Sequence, residues 1–412
     1  MSTGVIHPAP SQRLALTRTF REGGLQTWRN AHLFVIGAGN LGQRVVLEAV
    51  LSGARVTSYD PGIFGHENSE TQWGTPGQAK VDHLARQLAA FAPGRFHPMT
   101  CDILHAGIGR LRQASLLIDC TDDPNLAVPL TRISNGLSIP LLRGALAGDG
   151  QLELGRVACS HGGGGEHACQ MCNYSLEDLS RPTRRQPCAG DATPTPPPTL
   201  AGGAIGMTIA GVVLLQAQRL IAGNDLDQVL DREWIVDLTH GQILPLRRTR
   251  SSQCLSGHVR WSLIPLDRNA TDTCLEDLFV EAARRWETDD TSAITLEPYG
   301  HPLCRDWTCV CGEYLKACGS RWQPDIVCSR CGEPLTPQLA TAYDWLTEAM
   351  ARELDIAARP LAQLGIPRDG AMFVARAPKK KPLRFLLSME DDASHSPGAS
   401  APATSERAIP CT

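Results

Sequence analysis

The sequence has no strong charge of either sign. Its net charge is -4 at pH 7 and its pI is near 6.3, so it carries no basic surplus with which to hold nucleic acid. It also lacks an apolar run at its start. Residues 1–14 hold nothing resembling the core of a signal peptide, which predicts a cytoplasmic protein. The most apolar segment, 200–215, is too short for a bilayer and studded with small residues. It is expected to be a buried helix packed closely on a neighbour, and no membrane partner is expected. There is no internal repeat.

What the chain does have is cysteine. Fifteen of them in 412 residues, without a secretory signal, argue for metal or thiol chemistry and against a disulfide framework. Several are closely paired: Cys169 with Cys172, Cys309 with Cys311, Cys328 with Cys331. Cys101, Cys120 and Cys159 stand alone in apolar, strand-like runs and read as small core residues.

The length allows two or three domains. From residue 29 to about 158, strand candidates (HLFVIG, RVTSYD, RFHPMTC, ASLLIDC, SIPLLRG, QLELGRVA) alternate with helical patterns at 41–51, 79–90 and 125–135. Apolar strands separated by helices predict an α/β fold, a doubly wound, Rossmann-like and mostly parallel sheet. Residues 159–200 break the pattern with a glycine cluster, CQMC, basic residues and PTPPP, and are expected to form a long exposed crossover. A helix from about 204 to 222 and strands near 234–237 and 242–246 follow. The expected division is an N-terminal segment 1–28 and a nucleotide-binding domain 29–258. A zinc-ribbon unit 259–345 follows, then a C-terminal unit 346–388 (helix 345–357, strands AMFVAR and LRFLL) and a disordered tail 389–412.

Chemistry concentrates in HLFVIGAGNLGQRVV. Gly37, Gly39 and Gly42 close an apolar strand and open a helix. The first bends the chain, the second admits a phosphate to the backbone, and the third lets helix and strand pack, with the helix N-terminus facing the anion. Asp60 ends the next strand, where a carboxylate can accept from a ribose. Asn68 and Gln72 lie in the following loop, and Lys80, in GQAK, can pair with phosphate charge; read alone, it is more simply a solvated lysine. Asp122, in LLIDCTDDP, follows an apolar strand, where a carboxylate can hold magnesium on a triphosphate. Otherwise it, or Asp123, caps the next helix.

Taken in order, GAGNLG, Asp60, the Asn68–Gln72 loop, GQAK and CTDD resemble the adenylation domain of ubiquitin-activating-type enzymes, a family that includes the adenylyltransferases of thiamine and molybdopterin biosynthesis. The resemblance covers roughly 13–258. It implies that Asp60 binds the ribose of ATP, Lys80 the phosphates and Asp122 the magnesium. It further implies a homodimer and a partner protein of ubiquitin-like or sulfur-carrier type ending in glycine. One position departs from the family, which has an arginine immediately before Gln72; this chain has Thr71. Arg18, Arg21 and Arg143 are the candidates to replace it.

The resemblance also implies a structural zinc, with CQMC supplying Cys169 and Cys172 and the later CLSGH supplying Cys254 and His258, a chemically reasonable Cys3His set. Alternatively, Cys254 is a buried thiol and His258 a surface residue. Cys188, in the arginine-flanked crossover (Arg181, Arg184, Arg185), matches the place where family members accept the acyl group as a thioester; some members only adenylate. The cluster CRDWTCVCGEYLKACGSRWQPDIVCSRCGEPL resembles a zinc ribbon, with Cys309, Cys311, Cys328 and Cys331 as ligands and Cys304 and Cys318 as alternates.

The expected cofactors are thus ATP, Mg2+ and Zn2+. The expected activity is ATP-dependent adenylation of a β-grasp protein's C-terminal glycine, with Cys188 as acyl acceptor and a conjugating enzyme as a further partner if the system is conjugative. Two rivals use fewer residues. An NAD-dependent oxidoreductase explains the glycines and Asp60 but leaves Lys80, Asp122 and the cysteine pairs idle. A non-catalytic zinc-bearing adaptor explains Thr71.

Overall fold

The computed structural model describes residues 17–123, 126–148, 153–163, 165–175, 201–321 and 326–389, the side chains of Arg21 and Glu22 apart. Its largest element is an eight-stranded sheet. Strands β1 (His32–Ile36), β2 (Arg55–Tyr59), β3 (Phe96–Met99), β4 (Leu116–Asp119) and β5 (Leu141–Gly148) are parallel, in the order β3-β2-β1-β4-β5. β6 (Glu153–Ser160), β7 (Arg232–Asp237) and β8 (Gln242–Arg247) extend it antiparallel. β1 and β4 are buried along their whole length, as the unbroken apolar runs of a sheet covered on both faces require.

One face is covered by the helices Gly24–Asn30, Asn40–Leu51, Lys80–Ala89 and Gly203–Ala222, through a core that includes Trp28, Val45, Leu84 and Ile209. The helix Gly203–Ala222 matches the expected helix 204–222 to within a residue, and it is longer than the segment 200–215, which alone is too short for a bilayer. It has 20 residues, and its most apolar 18 have a mean hydropathy of 1.5, so by length and composition alone it could cross a bilayer. One face of it, Ile205, Ile209, Val213 and Ala217, lies in the core, while Met207 and Leu215 stay exposed, so the helix is only in part the buried one that its small residues predicted.

The other face carries the helix Ala127–Leu137 and the C-terminal part of the chain. There β9 (Ile264–Pro265), β10 (Thr295–Pro298), β15 (Leu346–Thr347), β16 (Met372–Arg376) and β17 (Leu383–Leu386) form a second sheet. Alternate residues of β16 serve different cores: Met372 and Val374 pack on the large sheet, Phe373 and Ala375 on the helix Leu275–Trp286, as a period of two demands. The ribbon strands β11 (Leu303–Thr308), β12 (Tyr314–Ser320), β13 (Thr336–Pro337) and β14 (Ala342–Tyr343) form a third sheet.

This differs from the division at 345/346. The ribbon is an insertion between β10 and β15, which are themselves paired, Leu296 with Leu346. The expected helix 345–357 is likewise shorter, Glu348–Glu353, because Leu346 and Thr347 are used as strand. The helix Leu275–Trp286 was not expected.

Candidate functional site

The strand order reverses at β1. The helix after β1 covers one face and the helix after β4 the other, so a crevice forms between the two loops, as it does at the ligand sites of open α/β sheets. Gly37 stands there at φ 89°, and a Cβ on it would lie 3.1 Å from Thr121 Cγ2. Gly42 packs still closer, since a Cβ would lie 1.8 Å from the Gly37 carbonyl oxygen. At Gly39 a Cβ would meet nothing within 4 Å. The turn is therefore closed against the protein at its ends and open at its middle glycine.

Asp60 is tied to this turn. Its Oδ2 accepts from the Ala38 amide at 2.6 Å and its Oδ1 from the Gly62 amide at 2.6 Å. A Cβ on Gly62 would lie 2.7 Å from Asp60 Oδ1 and 3.5 Å from Lys80 Cε, so carboxylate and lysine stem converge over one glycine. Lys80 is 3% exposed, with its ammonium 5.9 Å from the Phe64 ring centroid. Among the described residues no carboxylate forms an ion pair with it. A buried, uncompensated ammonium is not a solvated lysine, which disposes of the simpler reading of GQAK.

The loop after Asp60 is clamped to the helix Asn40–Leu51. Gln43 accepts from the Trp73 amide at 2.9 Å and donates to its carbonyl at 3.0 Å. Asn68 Oδ1 accepts from the Gly65 amide at 3.1 Å, and Gln72 holds the loop through its main chain, donating to the Asn68 carbonyl at 2.9 Å. Arg44, 8% exposed, donates to the Asn40 carbonyl and to the Thr71 carbonyl, the latter at 3.4 Å. Its guanidinium lies 5.2 Å from the Trp73 ring centroid, and its Nε has no partner. The sequence reading missed Gln43 and Arg44. Of the arginines it proposed instead, Arg18 pairs with Asp225 at 3.3 Å and Arg143 with Asp119 at 3.3 Å; the side chain of Arg21 lies outside the described residues.

Across the crevice, Asp122 is exposed. The helix Ala127–Leu137 begins after Leu126, which makes no side-chain cap. Asp119, also missed, is fully buried. It accepts from the Thr121 amide and hydroxyl at 2.9 and 2.7 Å, and burial raises its carboxyl above the ordinary range against the pull of Arg143.

The four ligand atoms of Cys169, Cys172, Cys254 and His258 lie within 4.8 Å of one another. The Cys169–Cys172 sulfurs are 3.8 Å apart, Cys169–Cys254 3.4 Å, and Cys172 Sγ is 3.2 Å from His258 Nε2. Tetrahedral zinc with Zn–S bonds of about 2.3 Å sets sulfurs about 3.8 Å apart, so this set fits the ion. Ser256 Oγ touches Cys169 and Cys254 at 3.3 and 3.2 Å, the kind of outer contact that orients ligands. Burial pushes the Cys169 thiol up to about 12, where a dication rather than water would deprotonate it.

Cys309, Cys311, Cys328 and Cys331 form the second such set. Cys309–Cys331 sulfurs stand at 3.3 Å and Cys311–Cys328 at 3.7 Å. Each half is a tight turn, closed by Gly312 donating to the Cys309 carbonyl and Gly332 to the Cys328 carbonyl, both at 2.9 Å. Of the alternates, Cys304 is fully buried in the ribbon core and Cys318 partly buried. Cys188 lies outside the described residues.

The ThiF family matches residues 11–256 of the chain. No curated protein matches it. Among solved structures, E. coli MccB is similar at 14% identity and a TM-score of 0.48, over 61% of this chain and 73% of that one. E. coli MccB with ATP gives 14% and 0.43, over 57% and 68%. PaaA gives 17% and 0.41, over 55% and 67%.

Proposed function

The chain belongs to the ThiF family, of ATP-using adenylyltransferases, and from that premise we propose that it adenylates the C-terminal glycine of a small ubiquitin-like, β-grasp protein. The observation that carries this reading is the convergence of Asp60 and buried Lys80 over Gly62, beside the open middle of the glycine turn. An NAD site needs the carboxylate but not the lysine. In this reading Asp60 takes the ribose, Lys80 and the turn amides take the phosphates, and Asp122 takes the magnesium. A carboxylate oxygen of the carrier attacks the α-phosphorus, the bond to the β-phosphate oxygen breaks, and pyrophosphate leaves. The residues contribute position and charge neutralisation.

Arg44 is our candidate for the missing family arginine, since its guanidinium reaches residue 71 from the neighbouring helix. The two cysteine sets are read as closed structural zinc sites, the ribbon being a docking module. A homodimer is supported by an apolar stripe left uncovered on the helix Gly203–Ala222, Met207, Gly211 and Leu215, and by the edge strand β8, whose Ile243, Leu244 and Leu246 are each about half exposed. The extra ribbon inclines the reading to a conjugation system over sulfur transfer, because a plain sulfur-carrier activator needs no such module.

ATP–pyrophosphate exchange in the presence of the carrier tests the proposal. Asp122→Ala should abolish it, and Lys80→Ala should slow it by on the order of 3 kcal/mol of barrier. Unchanged exchange in both variants sinks the assignment, and binding of NAD in place of ATP would favour the oxidoreductase.

A further inference from the structure

Two histidines outside both cysteine sets are brought together at the far end of the large sheet. Leu117 pairs with Leu141, and Leu141 with Ser160, so β6 ends on the side of the sheet away from the crevice. His161 follows directly, and the run HGGGGEH leads the chain to His167, two residues before Cys169. The two imidazoles meet there, with ring centroids 5.0 Å apart and planes at 45°.

Their hydrogen bonds fix where each ring keeps its proton. His161 Nδ1 lies 3.1 Å from the Gly162 carbonyl oxygen, and His167 Nδ1 lies 3.0 Å from Asp231 Oδ2. A carbonyl and a carboxylate only accept, so both Nδ1 atoms donate, and each neutral ring keeps its lone pair on Nε2. Among the described residues neither Nε2 has a partner. Asp231 is itself held in place. Its Oδ1 accepts from the Ala168 amide at 2.6 Å, and its own carbonyl, on a main chain at φ 56°, accepts from the Arg248 amide at 2.8 Å. Anchoring the far nitrogen on a carboxylate or a main-chain carbonyl is how metal-binding imidazoles have their tautomer and direction set.

We infer that His161 and His167 together hold one divalent transition ion through their Nε2 atoms, in a third metal site whose other positions are open to water. The spacing suits a shared ion. With a metal–nitrogen bond of about 2.1 Å, two imidazoles on one ion set their centroids roughly 4.5–5.2 Å apart for bond angles between about 90° and 109°. The observed 5.0 Å lies inside that range. Imidazole selects zinc, copper or nickel over the hard ions magnesium and calcium. His161 is exposed and the His167 side chain is 40% exposed, so an ion reaches both from solvent. With two protein ligands in place of four, the site gives up its ion on dialysis while the cysteine sets stay filled. Bridging residues 161 and 167 closes a run of four glycines, whose ordering is otherwise costly, and steadies the approach to Cys169. The site needs no nucleotide chemistry and stands whether or not the chain adenylates.

Calorimetric titration of Zn2+ into the full chain, dialysed with both cysteine sets filled, tests it. The wild type should take up one more equivalent than either His161→Ala or His167→Ala, and all three should retain two zincs as the check on folding. Asp231→Asn should keep the extra equivalent and weaken it by about tenfold or more; if that variant loses a structural zinc, the two histidine variants decide. Hydrogen exchange at the amides of residues 166–168 should slow when Zn2+ is added to the wild type, and should not slow in His161→Ala. Equal uptake by the wild type and the histidine variants overturns the site. So does a loss that only the double variant completes, which would mean two separate surface imidazoles, and so does an equal response to Mg2+. Exchange that Zn2+ leaves unchanged in the wild type overturns the closing of the loop.

Discussion

Arg110 and Asp369 join the first half of the chain to the second. The Arg110 Nε donates to Asp369 Oδ2 at 2.8 Å, and the same carboxylate accepts from the Gly107 amide through Oδ1 at 2.8 Å. The backbones meet as well, Gly109 donating to the Gly370 carbonyl at 2.8 Å and Arg110 to the Asp369 carbonyl at 2.9 Å. The turn before β16 is thereby fastened to the segment after β3. Both side chains of the pair are about one-fifth exposed, so the contact is drier than a surface ion pair.

Asp369→Ala should therefore cost about 2 kcal/mol of stability, because it leaves a guanidinium and a main-chain amide short of a charged acceptor. Urea unfolding measures it. A loss below about 0.5 kcal/mol, the range of ordinary surface substitutions, would show that the contact is incidental.

The glycine turn separates stability from binding. Gly42→Ala forces a methyl into the Gly37 carbonyl and should destabilise by about 3 kcal/mol. Gly39 has φ -79° and ψ -157°, and a methyl there meets nothing within 4 Å. Gly39→Ala should leave stability within about 0.5 kcal/mol and weaken ATP, whose phosphate would approach at that point. Thermal unfolding beside ATP titration tests the contrast, and intact ATP affinity in Gly39→Ala refutes the phosphate position.

These glycines, Asp60, Lys80, CQMC and the ribbon cysteines are legible in the sequence because each is a local pattern with its own chemistry, whereas Cys254 and His258 are joined to CQMC only by the family resemblance. Gln43, Arg44 and Asp119 are not, because they act with partners from other segments. Arg44, for instance, reads as one more polar residue on an amphipathic helix until Thr71 is brought beside it. The ribbon's insertion is hidden for the same reason. Periodicity finds β10 and β15 as strands at best, and cannot say that they pair across the intervening residues. The helix Leu275–Trp286 did carry a signal, since Leu275, Leu278, Phe279, Ala282 and Trp286 keep helical spacing and Asp277 caps the Cys274 amide at 2.9 Å.

Arg44→Ala should lower ATP affinity and pyrophosphate exchange by on the order of tenfold, since it removes a charge and loosens the clamp on the 65–73 loop. Arg44→Lys should recover little, because a point charge cannot make the same fork of contacts. Restoring the family arginine by Thr71→Arg in the Arg44→Ala background should rescue exchange. Full activity of Arg44→Ala alone would remove it from the phosphate site.

Both metal sets should fill. Elemental analysis should return about two zincs per chain, each four-ligand set being closed. Cys254→Ser and Cys331→Ser should each bring the value to about one. Chelation should unfold the ribbon first, because its core consists of little beyond Cys304, Trp307, Cys309, Cys328 and Leu335, and in so small a core metal binding is folding energy. A wild-type value near one would remove one of the sites.

In the proposed reading the acyl acceptor is Cys188, and the described thiols nearest the crevice are poorer candidates. Cys120 follows β4 beside the crevice, but burial raises its thiol well above the ordinary value. Burial pushes Cys101 and Cys159 up to about 11 and about 12, and Cys169, Cys172 and Cys254 belong to a metal set. A nucleophile must be a thiolate at working pH, so none of these suits. Cys188 has the right surroundings in sequence, a polar crossover with Arg181, Arg184 and Arg185 upstream, whose charge would favour the thiolate. Attack on the acyl-adenylate would form a thioester and release AMP. Cys188→Ser should then leave pyrophosphate exchange intact, and should eliminate the thiol-sensitive adduct with the carrier or convert it to a thiol-resistant ester. A reducible adduct that persists in this variant places the nucleophile elsewhere. If the wild type forms no adduct, the adenylate itself is the product handed on.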